Sequence, residues 1–295
     1  MREEVDMSDT TVVTVGVDGS APALAALDWA ARYAFAREAT LDVVVAVGWP
    51  GERQFYGGYR VAELKDAAHV DGEKTLGRAV ARVRTARPGL AVDGRVSDET
   101  AVRALLDASA LSDLVVVGCR GLNPAAGLVL GSVSTAVSAH AERSVAVVRA
   151  DRVPGPEAPV VVGVAGSDWD EATLGAAFAE ADRWAAPLVV AHAWSDVSRV
   201  GLFGSAAVPS WIEAREEADA LVTGRLAGWR AKYPDVRVNT VVERERPAEM
   251  LLGLAPDAGL VVVGSHGRGG FAGMLLGAVA RRLVHHADAA VLVVR

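Results

Sequence analysis

Apolar positions along this chain change their period several times. Thr11–Val17 is a β-branched run that ends at Asp18-Gly19-Ser20, after which Ala23, Ala26, Leu27, Ala30 and Ala34 recur at helical spacing, predicting strand, tight turn and helix. Leu41–Val47 predicts a second strand. It is followed by a loop through Tyr59 and a long, mostly helical pattern of Val61, Leu64, Ala68, Leu76, Val80 and Val83. Leu90–Val96 reads as a strand, Glu99–Ala110 as a helix, Leu114–Gly118 as a short apolar strand, Gly131–Ala141 as a helix and Val145–Arg149 as a strand. Strands without polar alternation, separated by helices, indicate an α/β fold with a parallel sheet covered on both faces.

The chain then repeats itself at an offset of 146 to 147 residues. Val15–Ser20 (VGVDGS) matches Val162–Ser167 (VGVAGS), Leu114–Gly121 (LVVVGCRG) matches Leu260–Gly267 (LVVVGSHG), and the endings Val145–Arg149 and Val291–Arg295 match. The second set of strands falls at Val160–Val164, Leu188–His192, Val236–Val242, Leu260–Gly264 and Val291–Val294. A proline-rich connection, Ala150–Pro159, separates the copies, so two domains of one kind are expected, 1–152 and 153–295, meeting near Val153. The length of 295 residues gives the same count at roughly 150 residues per domain.

Composition narrows the function. The chain is 51% apolar and 23% charged, which excludes disorder. One cysteine can close neither an internal disulfide nor a structural zinc site. A net charge of −7 argues against a nucleic-acid or anionic-membrane surface. No apolar run approaches the ~18 residues of a membrane span. The start, MREEVDMS, has no apolar signal core, so a cytoplasmic location is expected.

Candidate chemistry sits where the first and fourth strands end. If the strand order is 3-2-1-4-5, which the residues alone leave open, the winding reverses between those two strands and a ligand binds beyond their carboxyl ends. There the first copy carries Asp18-Gly19-Ser20 and the stretch Gly118-x2-Gly121-x9-Gly131-Ser132. Glycines allow close approach to backbone, and the following helix start offers unpaired amides and a positive dipole end, a combination suited to polyphosphate. Ser132 can add a hydroxyl to a phosphate oxygen or a metal-bound water, and Asp18 can accept from a ribose hydroxyl or a base amine. The competing structural reading is that the glycines only turn the chain. Their recurrence as Gly264, Gly267 and Gly277, again before a helix, favours the ligand. The stretch lacks the Gly-Lys-Ser/Thr of a Walker loop, and the first strand lacks a dinucleotide fingerprint.

These residues resemble the universal stress protein family in its tandem-domain form, over nearly the whole chain. The family motif Gly-x2-Gly-x9-Gly-Ser/Thr-Val-Ser is matched by Gly118, Gly121, Gly131, Ser132, Val133 and Ser134, and the aspartate closing the first strand by Asp18. The resemblance implies two Rossmann-like domains of strand order 3-2-1-4-5, pairing of like domains within one chain or further into a homodimer, and bound ATP, with or without Mg2+. It implies that loop amides and serine hold phosphates, that Asp18 and Gly19 lie near the nucleoside, and that backbone near Val47 and Gly48 meets adenine. Arg120 either approaches phosphate or faces water. The second copy departs from the motif. Ala165 stands for Asp18, Ala278 for Ser132 and Ala280 for Ser134, leaving Gly264, Gly267 and Gly277 as weak candidates.

The remaining signals are subordinate. Cys119 reads as a small residue at a turn rather than a redox thiol, and the histidines show no metal-ligand spacing. The loops Gly51–Arg60 and Asp196–Pro209 read equally as lids or as surface connections, and the seven tryptophans as core and interface anchors. No catalytic constellation assembles. The expectation is therefore an ATP-binding stress-response regulator with one competent site in the first domain, not an enzyme, with weak ATP hydrolysis compatible. A nucleotide-independent interaction module and a slow phosphohydrolase are the alternatives.

Overall fold

The computed structural model describes residues 11–48, 58–119, 131–149, 153–167, 170–194, 211–266 and 276–295, with backbone alone at 58–62 and 211. Two compact units divide the chain, residues 1–151 and 152–295.

In the first unit the strands are β1 (Val12–Gly16), β2 (Thr40–Ala46), β3 (Val92–Ser97), β4 (Leu114–Gly118) and β5 (Ser144–Val148), and the helices are α1 (Ala21–Phe35), α2 (Gly58–Ala86), α3 (Ala101–Ser109) and α4 (Ser132–His140). All pairings among these strands are parallel, in the order β3-β2-β1-β4-β5. Successive right-handed crossovers therefore reverse between β1 and β4, as the resemblance implies. Helices cover both faces. A Cβ on Gly16 would meet Leu105 of α3, whereas on the opposite face a Cβ on Gly118 would meet the Pro22 carbonyl of α1. The core holds Val13, Val15, Leu27, Trp29, Leu41, Val43, Val115 and Val116, all essentially inaccessible to water.

The second unit repeats the plan with β6 (Val160–Gly163), β7 (Leu188–Trp194), β8 (Val238–Arg244), β9 (Leu260–Gly264) and β10 (Ala290–Val294), and with α5 (Asp170–Arg183), α6 (Trp211–Lys232), α7 (Pro247–Leu254) and α8 (Ala278–His286). Its strands pair in parallel in the order β8-β7-β6-β9-β10. Strands β3 and β8 start two residues later than the apolar runs suggest. Leu90 and Val236 still belong to the turns after the preceding helices, their amides donating to the Arg87 and Tyr233 carbonyls. Of the tryptophans read as anchors, Trp29 is fully buried, while Trp184, Trp194 and Trp229 are half-buried. Trp49, Trp169, the Trp211 side chain, residues 51–57 of the first loop read as a lid and the whole of the second lie outside the described residues, whereas Gly58–Arg60, expected as loop, already form the start of α2.

Candidate functional site

The turn after β1 is shaped by its own side chains. Gly19 adopts a φ of +82°, a left-handed conformation that favours glycine. The exposed Asp18 accepts from the Ser20 amide at 2.9 Å, and Ser20 caps α1 by accepting from the Ala23 amide at 3.3 Å. Because β1 pairs with β4, the Asp18 turn and Gly118 leave neighbouring strands at the same end. Gly118 is required by packing: a Cβ there would lie 2.7 Å from the Pro22 carbonyl oxygen.

Helix α4 starts differently from α1 and α3. Ser20 and Thr100 cap those helices with their hydroxyls, but α4 begins on Gly131, which provides no side-chain cap, and its first residue, Ser132, is exposed. The leading amides of Ser132 and Val133 thus have neither an intrahelical acceptor nor a capping side chain at Gly131. The Gly131 amide itself donates to the Cys119 carbonyl at 2.8 Å. Ser134 is buried and donates its hydroxyl to the Gly118 carbonyl at 2.7 Å, tying the helix start to the strand end. Cys119 is buried among these contacts. Half-buried Val47 continues from β2, and its amide and that of Gly48 donate to the Ser97 and Glu99 carbonyls, so the carbonyls carry any recognition at that edge. Arg120 and Gly121 lie outside the described residues.

The second unit keeps the scaffold and changes the lining. The Gly277 amide donates to the Ser265 carbonyl at 2.7 Å, and α8 starts without a side-chain cap, as α4 does. A Cβ on Gly264 would meet Thr173 Oγ1 at 3.0 Å, and Gly267 lies outside the described residues. Ala280, at the Ser134 position, is buried. Two buried polar residues that sequence reasoning missed stand here. The Asp170 carboxylate accepts from the amides of Ala165, Gly166 and Ser167 at 2.9, 2.5 and 3.0 Å, and the His192 Nδ1–H donates to the Val164 carbonyl at 2.9 Å. Their counterparts in the first unit are Ala23 and Val45. An alignment of the two copies along their full length, rather than at the motif, carries that signal. No group of three or more His, Cys, Asp or Glu among the described residues is arranged to hold a metal.

The universal stress protein family model matches residues 10–149 and again 158–295. The chain belongs to the universal stress protein family. A universal stress protein of Mycolicibacterium smegmatis is 40% identical over 294 residues, spanning 96% of each chain. One from Mycobacterium tuberculosis is 37% identical over 299 residues, spanning 96% of this chain and 94% of its own. The crystal structure of a universal stress protein from Archaeoglobus fulgidus superimposes with a TM-score of 0.72 at 17% identity, covering 97% of this chain and 99% of that one, and thus shares the fold. As a universal stress protein, the chain carries two Usp domains in tandem, and no described helix is long and apolar enough to cross a membrane.

Proposed function

We propose that this chain is an ATP-binding stress-response regulator that holds its nucleotide in the first unit. The observation that carries this reading is the start of α4, which opens on an uncapped Gly131 with Ser132 exposed, while Asp18 leaves the neighbouring strand at the same sheet edge. An uncapped helix start with small residues fits a polyphosphate in charge and in space. On this reading the Ser132 and Val133 amides and the Ser132 hydroxyl hold phosphate, and Asp18 accepts from the ribose. The Val47 carbonyl accepts from the adenine amine, because the neighbouring amides are already used. Gly118 and Ser134 shape the site from beneath rather than contact the nucleotide. Arg120 and Gly121 belong to the same motif by sequence, Arg120 as a candidate phosphate contact. A divalent ion, if carried in with the triphosphate, would meet the Ser132 hydroxyl.

ATP occupancy is a conformational signal here, not a step of catalysis. Titration of the purified chain with ATP is expected to saturate at one nucleotide per chain. Loss of one hydrogen bond to a charged group costs about 1.5–3 kcal/mol, so Asp18→Ala and Ser132→Ala should each weaken binding by roughly tenfold to a hundredfold. Tight binding of two nucleotides per chain, or indifference of both variants, would overturn the assignment. Turnover of about 1 per second or faster would make the protein an enzyme instead.

A further inference from the structure

We propose that His69 is a positioning residue for base recognition in the first unit: it ties α2 to the turn after β3 and so holds the Val47–Gly48 edge in place. The inference rests on the reading of that edge as the adenine contact. The imidazole Nδ1–H donates to the Asp98 carboxylate at 3.3 Å, joining residues 29 positions apart, and Nε2 lies 3.8 Å from Glu73, one helical turn further on. Asp98 belongs to the same short stretch that receives the edge. The Val47 amide donates to the Ser97 carbonyl at 2.8 Å and the Gly48 amide to the Glu99 carbonyl at 3.0 Å, and a Cβ on Gly48 would run into the Asp98–Glu99 backbone. A shift of Asp98 therefore shifts Gly48.

Helix α2 also meets the edge directly. A Cβ on the buried Gly72 would lie 2.7 Å from Val47 Cγ1 and 3.0 Å from Val96 Cγ1, so the helix rests on Val47 within one turn of His69. Val47 is thus supported by α2 and Gly48 by the turn after β3. The His69–Asp98 bond joins these two supports to each other.

The second unit shows the same place without the tie. Arg215 stands for His69, Asp219 for Glu73 and Arg244 for Asp98. The pair along the helix survives, Arg215 lying 3.8 Å from Asp219, but the acid across from it is replaced by a second guanidinium, and two groups that only donate cannot bond to each other. Larger side chains also stand where helix and strand end meet closely in the first unit, Ala218 replacing Gly72 and Trp194 replacing Val47. Here a cavity of about 570 Å³ opens, lined by Trp194, Arg215, Asp219 and Arg244 among others. The tie and the close packing occur together in the unit whose glycine-serine motif is intact, and are absent together from the unit whose motif has lost its hydroxyls.

The test has two readouts on the full chain. Without nucleotide, His69→Ala is expected to speed hydrogen exchange of the Val47 and Gly48 amides about two- to fivefold, the scale of an exposed polar pair. His69→Asn, whose side-chain amide can donate to Asp98 from the Nδ1 position, is expected to return the exchange towards the wild-type rate. With nucleotide, His69→Ala is expected to bind ATP about two- to fivefold more weakly, while inorganic tripolyphosphate, which carries no base, binds as it does to the wild-type chain. Unchanged exchange in His69→Ala, no recovery in His69→Asn, or equal weakening of both ligands would overturn the proposal. If the wild-type chain binds no ATP, the functional reading fails on its own, and the exchange rates still decide whether His69 holds the edge.

Discussion

Gly118 and Gly77 show how two glycines in one unit answer to different forces. At Gly118 an added methyl would press on the backbone of Pro22, 2.7 Å away, so Gly118→Ala must displace α1 from the end of β4. Overpacking of this kind costs about 1–3 kcal/mol. Gly77, exposed within α2, has open space where its Cβ would go, and Gly77→Ala should stabilise by about 0.8–1 kcal/mol. Denaturant unfolding of the two variants is expected to give opposite signs. Ser134 illustrates what the sequence left hidden at this scale. Its place in the motif was legible, but its hydroxyl is donated to the Gly118 carbonyl, a contact between residues 16 positions apart that appears only once α4 lies over the end of β4. Asp170 was hidden for another reason: an acid in the first turn of a helix is ordinary, and only the three amides folded back onto it make it distinctive.

Strand and helix order was legible because the two copies repeat it and because buried parallel strands read as continuous apolar runs. Strand pairing was not, since in a parallel sheet no hairpin records which strands are neighbours. The two copies also solve one packing problem in two ways. In the first unit the buried Thr14 of β1 shares a 2.6 Å hydrogen bond with Ser112, which donates onward to the Ala108 carbonyl. In the second unit the same places hold Val161 and Ala258, both buried. Ser112→Ala alone strips a buried hydroxyl of its closest partner and should cost about 1–3 kcal/mol. Thr14→Val together with Ser112→Ala reproduces the second unit's apolar pair and should cost less than the sum of the single changes. A double-mutant cycle by thermal unfolding checks this, and strict additivity would contradict it.

For the whole chain, the consequence of two similar frames with different linings is that ligand effects should be local. Hydrogen exchange with and without ATP is expected to show slowed amides at 17–20 and 131–134, with no change at 164–167 or 277–280. Equal protection in both units would contradict the asymmetry. A chain with a net charge of −7 gives ATP no general attraction, so binding should owe little to long-range steering and depend on the local amides. One backbone hydrogen bond sets how the fourth strand and its helix are joined. The Gly131 amide reaches the Cys119 carbonyl, and Gly277 repeats the contact with Ser265, so the chain that departs at the end of the fourth strand returns almost to its point of departure. Such a staple uncouples the length of the excursion from the frame that carries it. A change of length between Cys119 and Gly131 that keeps this bond should therefore leave β4 and α4 in place while altering the Gly121-to-Gly131 spacing on which the proposed phosphate site depends.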